Sequence, residues 1–438
     1  MNPARILVIG FSAVVAAGTV LLALPQAAAP GQTVTWTDAF FTAMSAVCVT
    51  GLTVVDTGSA WSPFGHVVIL TLMQVGGLGI MTVSTLVILL LGRRITLKER
   101  LVVRQALQES DLAGLVRLLR SVAIAVFSIE AAGALLLTAR FLADMPWPRA
   151  LWFGVFHAVS AFNNAGFDLF GTSLAGFAGD GFVLAVVTVL VVLGGLGFHV
   201  LVELWGRSRR RVREPLSLHT RVVLAATGLV AGGGAALILA LEWNNPATFG
   251  ALSPAGRLGS AVFTSAAART AGFTTVDTAA LSGPTLLLLL VMMFLGGAPG
   301  STAGGIRLTT AAAVLATVAA TVRGSGDAVL FRRRLERDLT DRALALVVIA
   351  LFVLVVATML LLVLAGGSFL AVLFQVTSAL STAGLSTLNP SELGTPGRIL
   401  LAAAMFVGRV GPLTLVYALA QRRRRQLVRF PEERLPIG

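Results

Sequence analysis

Four short stretches of this 438-residue chain combine small and hydroxyl-bearing residues, a lone glycine and a bulky apolar side chain. They are SAVCVTGLTVVDT (45–57), SAFNNAGFDLFGT (160–172), SAAARTAGFTTVDT (265–278) and SALSTAGLSTLNP (378–390). What such residues offer is backbone oxygen. A monovalent cation such as potassium, once stripped of water, needs a ring of oxygens, and main-chain carbonyls from four loops around one axis supply it. Aiming those carbonyls inward takes an unusual turn, which glycine reaches because it lacks a Cβ and adopts positive φ without penalty. The expectation is therefore one glycine per loop, Gly51, Gly166, Gly272 and Gly384. The inward carbonyls would come from Val49 and Thr50, Asn164 and Ala165, Thr270 and Ala271, and Thr382 and Ala383. Small residues also let membrane helices pack closely. Four copies in phase, each followed by Leu52, Phe167, Phe273 or Leu385, favour the ion ring over that simpler use.

The glycines recur at intervals of 115, 106 and 112 residues, and each is followed by a second glycine signature: Gly76-Gly77, Gly194-Gly195, Gly296-Gly297 and Gly408-Arg409. A fourfold internal repeat in one chain suggests a pore on a pseudo-fourfold axis. The composition places it in a bilayer, with 56% hydrophobic residues, 12% charged residues and a mean hydropathy of +0.89. A spanning helix needs about 20 apolar residues. Eight segments qualify: 5–25, 64–91, 120–142, 181–205, 221–242, 283–320, 343–365 and 397–420. Between them, 38–49, 149–162, 257–269 and 369–381 are too short to cross and read as half-helices that enter and return. Their partially negative C-terminal ends face the shared cavity and favour a cation there. The fold class expected is an all-α integral membrane protein of four repeats, each a transmembrane helix, a pore loop and a second transmembrane helix. The divisions are 1–92 (repeat one), 93–214 (linker and repeat two), 215–322 (repeat three), 323–421 (linker and repeat four) and 422–438 (basic tail).

The net charge of +13 is a matter of topology. Arg5, the runs Arg93 to Arg120, Arg207 to Arg221 and Arg323 to Arg342, and the tail Arg422 to Arg434 fall on one face. By the positive-inside rule that face is cytoplasmic, so both termini are expected inside and the four loops enter from outside. No nucleic acid is needed to explain the charge; anionic membrane lipid or a cytosolic partner is a secondary use of it. Arg5, the apolar run and the small residues from Pro25 to Ala29 also have the make-up of a cleaved leader. The fourfold count argues that the segment stays. Cys48 is the single cysteine and makes no internal disulfide, and the four histidines (66, 157, 199, 219) lack metal-ligand spacing. No arrangement for hydrolysis is recognisable, and an enzyme is not expected. Asp56, Asp168 and Asp277 sit near the loop mouths, where they either gather cations or cap turns.

VTGL, NAGF, TAGF and TAGL, each between two spans, resemble the filters of the Trk/Ktr/HKT superfamily of potassium transporters, across essentially the whole chain. With eight spans and no additional N-terminal helix pair, the chain most resembles the membrane subunit of bacterial Ktr systems. The resemblance implies potassium uptake across the plasma membrane through a monomeric pore, within a homodimer. It also implies sodium as an activator and a separate cytosolic ring of nucleotide-binding (RCK-type) subunits, with no nucleotide bound by this chain itself. Family members with Ser at the first filter glycine favour sodium; here all four positions are glycine.

Two further features belong to the second spans. Five glycines and a proline between Leu295 and Ile306 cannot sustain a helix, since each Gly costs about 1 kcal/mol against Ala and an internal Pro about 3. Irregular backbone at membrane depth survives only in protein or beside a water-filled cavity. Gly296, Gly297, Pro299, Gly300, Ser301, Thr302, Gly304 and Gly305 are thus expected beneath the ring, and by resemblance form a gate loop; a fixed kink is the alternative. The GxxxxG spacing from Gly300 to Gly305 is no phosphate loop, because Ile306 and Arg307 follow it after an apolar span. Arg409 lies too deep in the last span to reach either surface comfortably. In the family an Arg at this position projects into the pore as a cation barrier; the alternative is a structural Arg on loop carbonyls. Arg269 is expected to anchor the loops, with Glu130 or an outer Asp as partner. The competing mechanism is a coupled secondary transporter, which predicts inverted repeats and two broken helices. Parallel repeats with one strongly broken span favour a channel-like pore.

Overall fold

The computed structural model describes residues 3–79, 115–210 and 215–411. The basic stretch Arg93 to Arg104, Arg211, Arg213 and the tail 422–438 lie outside the described residues. Apart from one two-stranded hairpin, β1 (Val329–Leu330) with β2 (Arg333–Arg334), the regular structure described is helical.

One order of elements occurs four times. It runs α1 (Pro3–Leu22), α2 (Trp36–Cys48) and α3 (Pro63–Leu78), then α4 (Leu115–Phe141), α5 (Trp147–Phe162) and α6 (Gly181–Leu196), the last continued by α7 (Phe198–Arg210). It resumes with α8 (Leu218–Glu242), α9 (Pro254–Ala267), α10 (Gly283–Leu295) and α11 (Leu308–Val322), and ends with α12 (Arg337–Ala365), α13 (Phe369–Leu380) and α14 (Thr395–Val410). The starts are written locally. Thr35 and Asp38 form a reciprocal capping box on α2, and Ser62 and Ser253 cap α3 and α9 with proline in the first turn.

Among the described residues four helices are long and apolar enough to cross a membrane: Arg5–Leu22, Arg120–Phe141, Leu218–Glu242 and Arg337–Ala365. The expected second spans behave differently. In each, a described helix is capped by a glycine with positive φ, namely Gly79, Gly197, Gly296 and Gly411 at 82°, 90°, 67° and 91°, and the remainders of two expected spans, 80–91 and 412–420, lie outside the described residues. Among the described residues, the break expected in repeat three alone is therefore shared by repeat two. Past Gly197 the chain continues helical as α7, bent by 102° from α6. Past Gly296 it is irregular until α11.

The short helices interlock the repeats. α5 packs on α3, α9 on α6, α13 on α10 and α2 on α14, so each half-helix rests on the second helix of the preceding repeat and the circuit closes. At the seam between repeats four and one, Arg398 Nη1 lies 2.8 Å from Asp38 Oδ1.

Candidate functional site

The half-helices α2, α5, α9 and α13 end at one kind of turn. Val49, Asn164, Thr270 and Thr382 all have positive φ (57°, 56°, 107° and 50°), and so do the glycines two residues on. The intervening N–H groups turn back onto their own helices: Thr50 to the carbonyl of Ser45 (2.8 Å), Ala165 to Ser160 (2.7 Å), Ala271 to Ala267 (2.8 Å) and Ala383 to Ser378 (2.8 Å). Donors that would repel a cation are thus used on otherwise orphaned helix-end carbonyls.

The four turns meet as a closed ring. A Cβ added to Gly51 would lie 2.6 Å from the carbonyl oxygen of Ala165, one on Gly166 2.8 Å from that of Ala271, and one on Gly272 3.2 Å from that of Ala383. One on Gly384 would overlap the carbonyl of Thr50, returning to the start. Glycine is required here twice over, by the positive φ and by this approach of backbone to backbone. The contacts bring together the four glycines and the carbonyls of Thr50, Ala165, Ala271 and Ala383; Val49, Asn164, Thr270 and Thr382 precede them as the positive-φ residues of the turns.

The same economy of volume operates one layer down. A Cβ on Gly76, Gly194 or Gly408 would overlap the carbonyl of Val47, Phe162 or Leu380, each four residues before a ring glycine. In repeat three the corresponding Gly296 instead meets the carbonyl of Gly304, within the irregular segment. That segment sits directly against the ring. Asn164 Nδ2 donates to Thr302 Oγ1 at 2.9 Å, and Gly304 is pressed on the Thr382 hydroxyl and the carbonyl of Ser381. It also lies on the bend of repeat two: Ala298 N–H and Thr302 N–H donate to the carbonyls of Gly195 (3.0 Å) and Gly194 (3.3 Å), and Phe198 N–H donates to Gly300 (2.9 Å). Pro299 presents its carbonyl to Gly197, and Gly297 N–H donates to Gly304, closing the base of the loop. Ser301 Oγ turns inward to the Ala298 carbonyl at 2.6 Å.

Arg409 spans the loop and the first repeat. Its Nη1 donates to the Thr302 carbonyl, and its Nη2 donates to the carbonyls of Gly76 and Gly77, the latter at 3.3 Å. It therefore tethers the loop to the C-terminal end of α3, where carbonyls lack intrahelical partners. Of the two uses expected of it, these bonds are those of the second, a ligand of loop carbonyls. A second cation went unread in the sequence. Arg307, with φ of 78°, donates to the carbonyls of Ala298 (3.2 Å) and Ala303. A lone Arg inside the apolar run 283–320 was the signal for it.

Arg269 is buried, and its Nη2 donates to Thr227 Oγ1 at 3.3 Å. Glu130 is held instead by Gln74 Nε2 (3.1 Å) and Asn163 Nδ2 (3.0 Å). Asn163 presses on Gly77, so this buried carboxylate is linked by contact to the helix end that Arg409 binds. In the segments after the ring glycines, Asp56 accepts from Gly58 and Ser59 N–H, Asp168 from Phe170 (2.9 Å) and Gly171 (2.8 Å), and Asp277 from Ala279 (2.9 Å). All three cap turns. Burial raises the Asp168 carboxyl above its ordinary pKa, opposed by the Gly171 and Phe170 N–H groups and reinforced by nearby Asp56.

The family model for TrkH, a cation transport protein, matches residues 5–424. The chain is 38% identical over 437 residues to the Ktr system potassium uptake protein B of Bacillus subtilis (strain 168), with 100% of this chain and 97% of that protein covered. It is 34% identical over 446 residues to the potassium/sodium uptake protein NtpJ of Enterococcus hirae, with 100% and 98% covered. The crystal structure of the potassium transporter TrkH from Vibrio parahaemolyticus shares the fold, with a TM-score of 0.77 at 20% identity over 96% of this chain and 85% of that one. The match of the family model and the full-length relatives agree, and the chain belongs to the TrkH family of cation transport proteins.

Proposed function

We propose that the chain takes up potassium across the plasma membrane through a channel-like pore, selected by the four-loop ring and gated by the glycine-rich loop. The protein is a membrane transporter rather than an enzyme. The observation that carries the reading is the closed circuit of glycines 51, 166, 272 and 384, each seated on a carbonyl from its neighbour. Such a ring replaces a hydration shell with fixed dipoles. Gly296 to Gly305 form the gate, and Arg409 adds an electrostatic barrier and a tether. The names of the full-length relatives support potassium as cargo, and parallel repeats favour passive conduction over alternating access. The chain works as a homodimer in the plasma membrane, both termini cytoplasmic, with sodium as activator. A separate nucleotide-binding ring regulates it.

Purified protein in liposomes tests this. Reversal potential should follow the potassium gradient alone, whereas a shift with an imposed proton or sodium gradient would establish obligate coupling. In cells lacking their own potassium systems, Gly51→Ser should lower the preference for potassium over sodium, because a Cβ at this position meets the Ala165 carbonyl. An unchanged preference would remove Gly51 from the filter.

A further inference from the structure

Beside the gate loop, and outside the ion pathway, a groove of about 780 Å³ runs along α11. Its walls are aliphatic, with Leu229 and Val230 of α8 facing Ala312, Leu315 and Ala319 of α11. One end abuts Leu295 and Leu308, the residues that flank the gate loop on either side. The other end opens at Arg323, Asp327 and the hairpin residues Val329 and Leu330.

The charges at this open end are unbalanced. Arg334 pairs with Asp327 at 2.9 Å and neutralises the acid. Among the described residues, Arg323, Arg332 and Arg333 make no ion pair or side-chain hydrogen bond. The hairpin turns through Phe331 and Arg332 at φ of 46° and 62°, left-handed values that tight two-residue turns normally give to Asn or Gly. Phe331 and Val329 are about half exposed, at 49% and 52%. An exposed aromatic beside unpaired arginines at the end of an apolar groove is the composition of a membrane interface, where rings sit at headgroup depth and basic residues meet phosphate.

We infer that this groove binds an anionic phospholipid, its phosphate on Arg323 and the hairpin arginines and one acyl chain along α11 against Leu295 and Leu308. The apolar walls between two membrane helices match an acyl chain, and the unpaired arginines match the phosphodiester charge. A ligand favours the conformation that holds its site. Occupancy therefore stabilises the arrangement with the loop seated under the ring, and anionic lipid lowers flux. The coupling rests on the gated-pore reading, whereas lipid retention does not, so the two can fail separately.

The test uses the full chain in mild detergent, washed and analysed by native mass spectrometry for retained phosphatidylglycerol. It is then reconstituted in phosphatidylcholine vesicles with and without that lipid. Arg323→Gln should reduce retained phosphatidylglycerol about fivefold, one surface charge's worth of attraction. Ala319→Phe, which fills the groove, should exclude it while leaving flux in pure phosphatidylcholine unchanged. Wild-type flux should fall when phosphatidylglycerol is added, and flux of both variants should not. Equal retention by wild type and both variants overturns the site. Loss of dimer in Ala319→Phe without loss of lipid assigns the groove to a second copy and overturns it too. Retention without any effect on wild-type flux overturns the coupling to the gate.

Discussion

A guanidinium at membrane depth settles where unpaired carbonyls are densest, and Arg409 finds them on two separate segments, at Thr302 and at the end of α3. Charge-assisted hydrogen bonds of this type contribute about 1.5–3 kcal/mol each. Losing one side of the tether therefore shifts a seated loop toward release by about tenfold or more. Arg409→Ala is expected to raise potassium flux by at least about tenfold in liposomes until release saturates, while Arg409→Lys keeps the charge and loses the fork. If the tether dominates, lysine behaves like alanine; if the barrier dominates, lysine behaves like wild type. Asp168 supplies a second test. Its pKa is raised by burial, so as pH falls it takes up a proton earlier than an ordinary carboxylate, and the mouth loses a negative charge. Flux should decline with a midpoint above about 3.9, the ordinary Asp value, and Asp168→Asn should remove that step and stay low throughout. A step of unchanged size in the Asn variant assigns the titration elsewhere. The two arginines differed in legibility for a physical reason. Arg409 interrupts an unbroken apolar run, whereas Arg307, though also alone in the apolar run 283–320, comes directly after the glycine-rich segment, whose break obscures its depth.

The elements that matter are those that fail to continue. Five glycines and a proline made the break after Leu295 readable, because their combined cost is beyond what a helix tolerates. The ends at Gly79, Gly197 and Gly411 were not readable, since an isolated glycine in an apolar run costs only about 1 kcal/mol and is commonly absorbed. What ends α6 is tertiary: Gly197 lies against the Pro299 carbonyl, and Phe198 N–H is taken by Gly300. The half-helices were legible from their length and from the small residues at their ends. Their seating on Gly76, Gly194 and Gly408 was legible only as an unexplained second glycine signature. The gate assignment is tested at this scale. Deleting Ala298 to Gly304 removes Thr302 and with it the contacts to Asn164, Gly194 and Arg409. Potassium flux should rise severalfold over wild type with folding retained on size-exclusion chromatography. Unchanged flux in a well-folded variant would reduce the loop to a kink.

The whole molecule is a circle drawn by a linear chain, so one seam must be closed without a peptide linker. Repeats one to four are joined in sequence, but α2 meets α14 only through space. The Asp38–Arg398 pair bridges 360 residues there. Asp38 is also the acidic partner of the Thr35 capping box, and Arg398 gathers the carbonyls of Leu393 (3.0 Å) and Ser391 (2.6 Å). One ion pair thus fixes the loop before α14 onto the half-helix of repeat one. With side-chain exposures of 20% and 10%, it is shielded enough for the loss of one partner to matter. Arg398→Gln should destabilise by on the order of 2 kcal/mol, read as a lower midpoint of thermal unfolding in detergent. Asp38→Asn added to it should cost little more, since the pair is already gone. The exposed pair Arg342–Asp338, at 63% and 83%, is the control and should leave the midpoint unchanged. Because the seam carries the contact between Thr50 and Gly384, the same Arg398→Gln should also weaken discrimination of potassium from sodium at temperatures where the fold is intact. A variant that melts early yet discriminates like wild type would mean that the ring is held by the packing of α2 on α14 alone, with the ion pair serving stability and not selectivity.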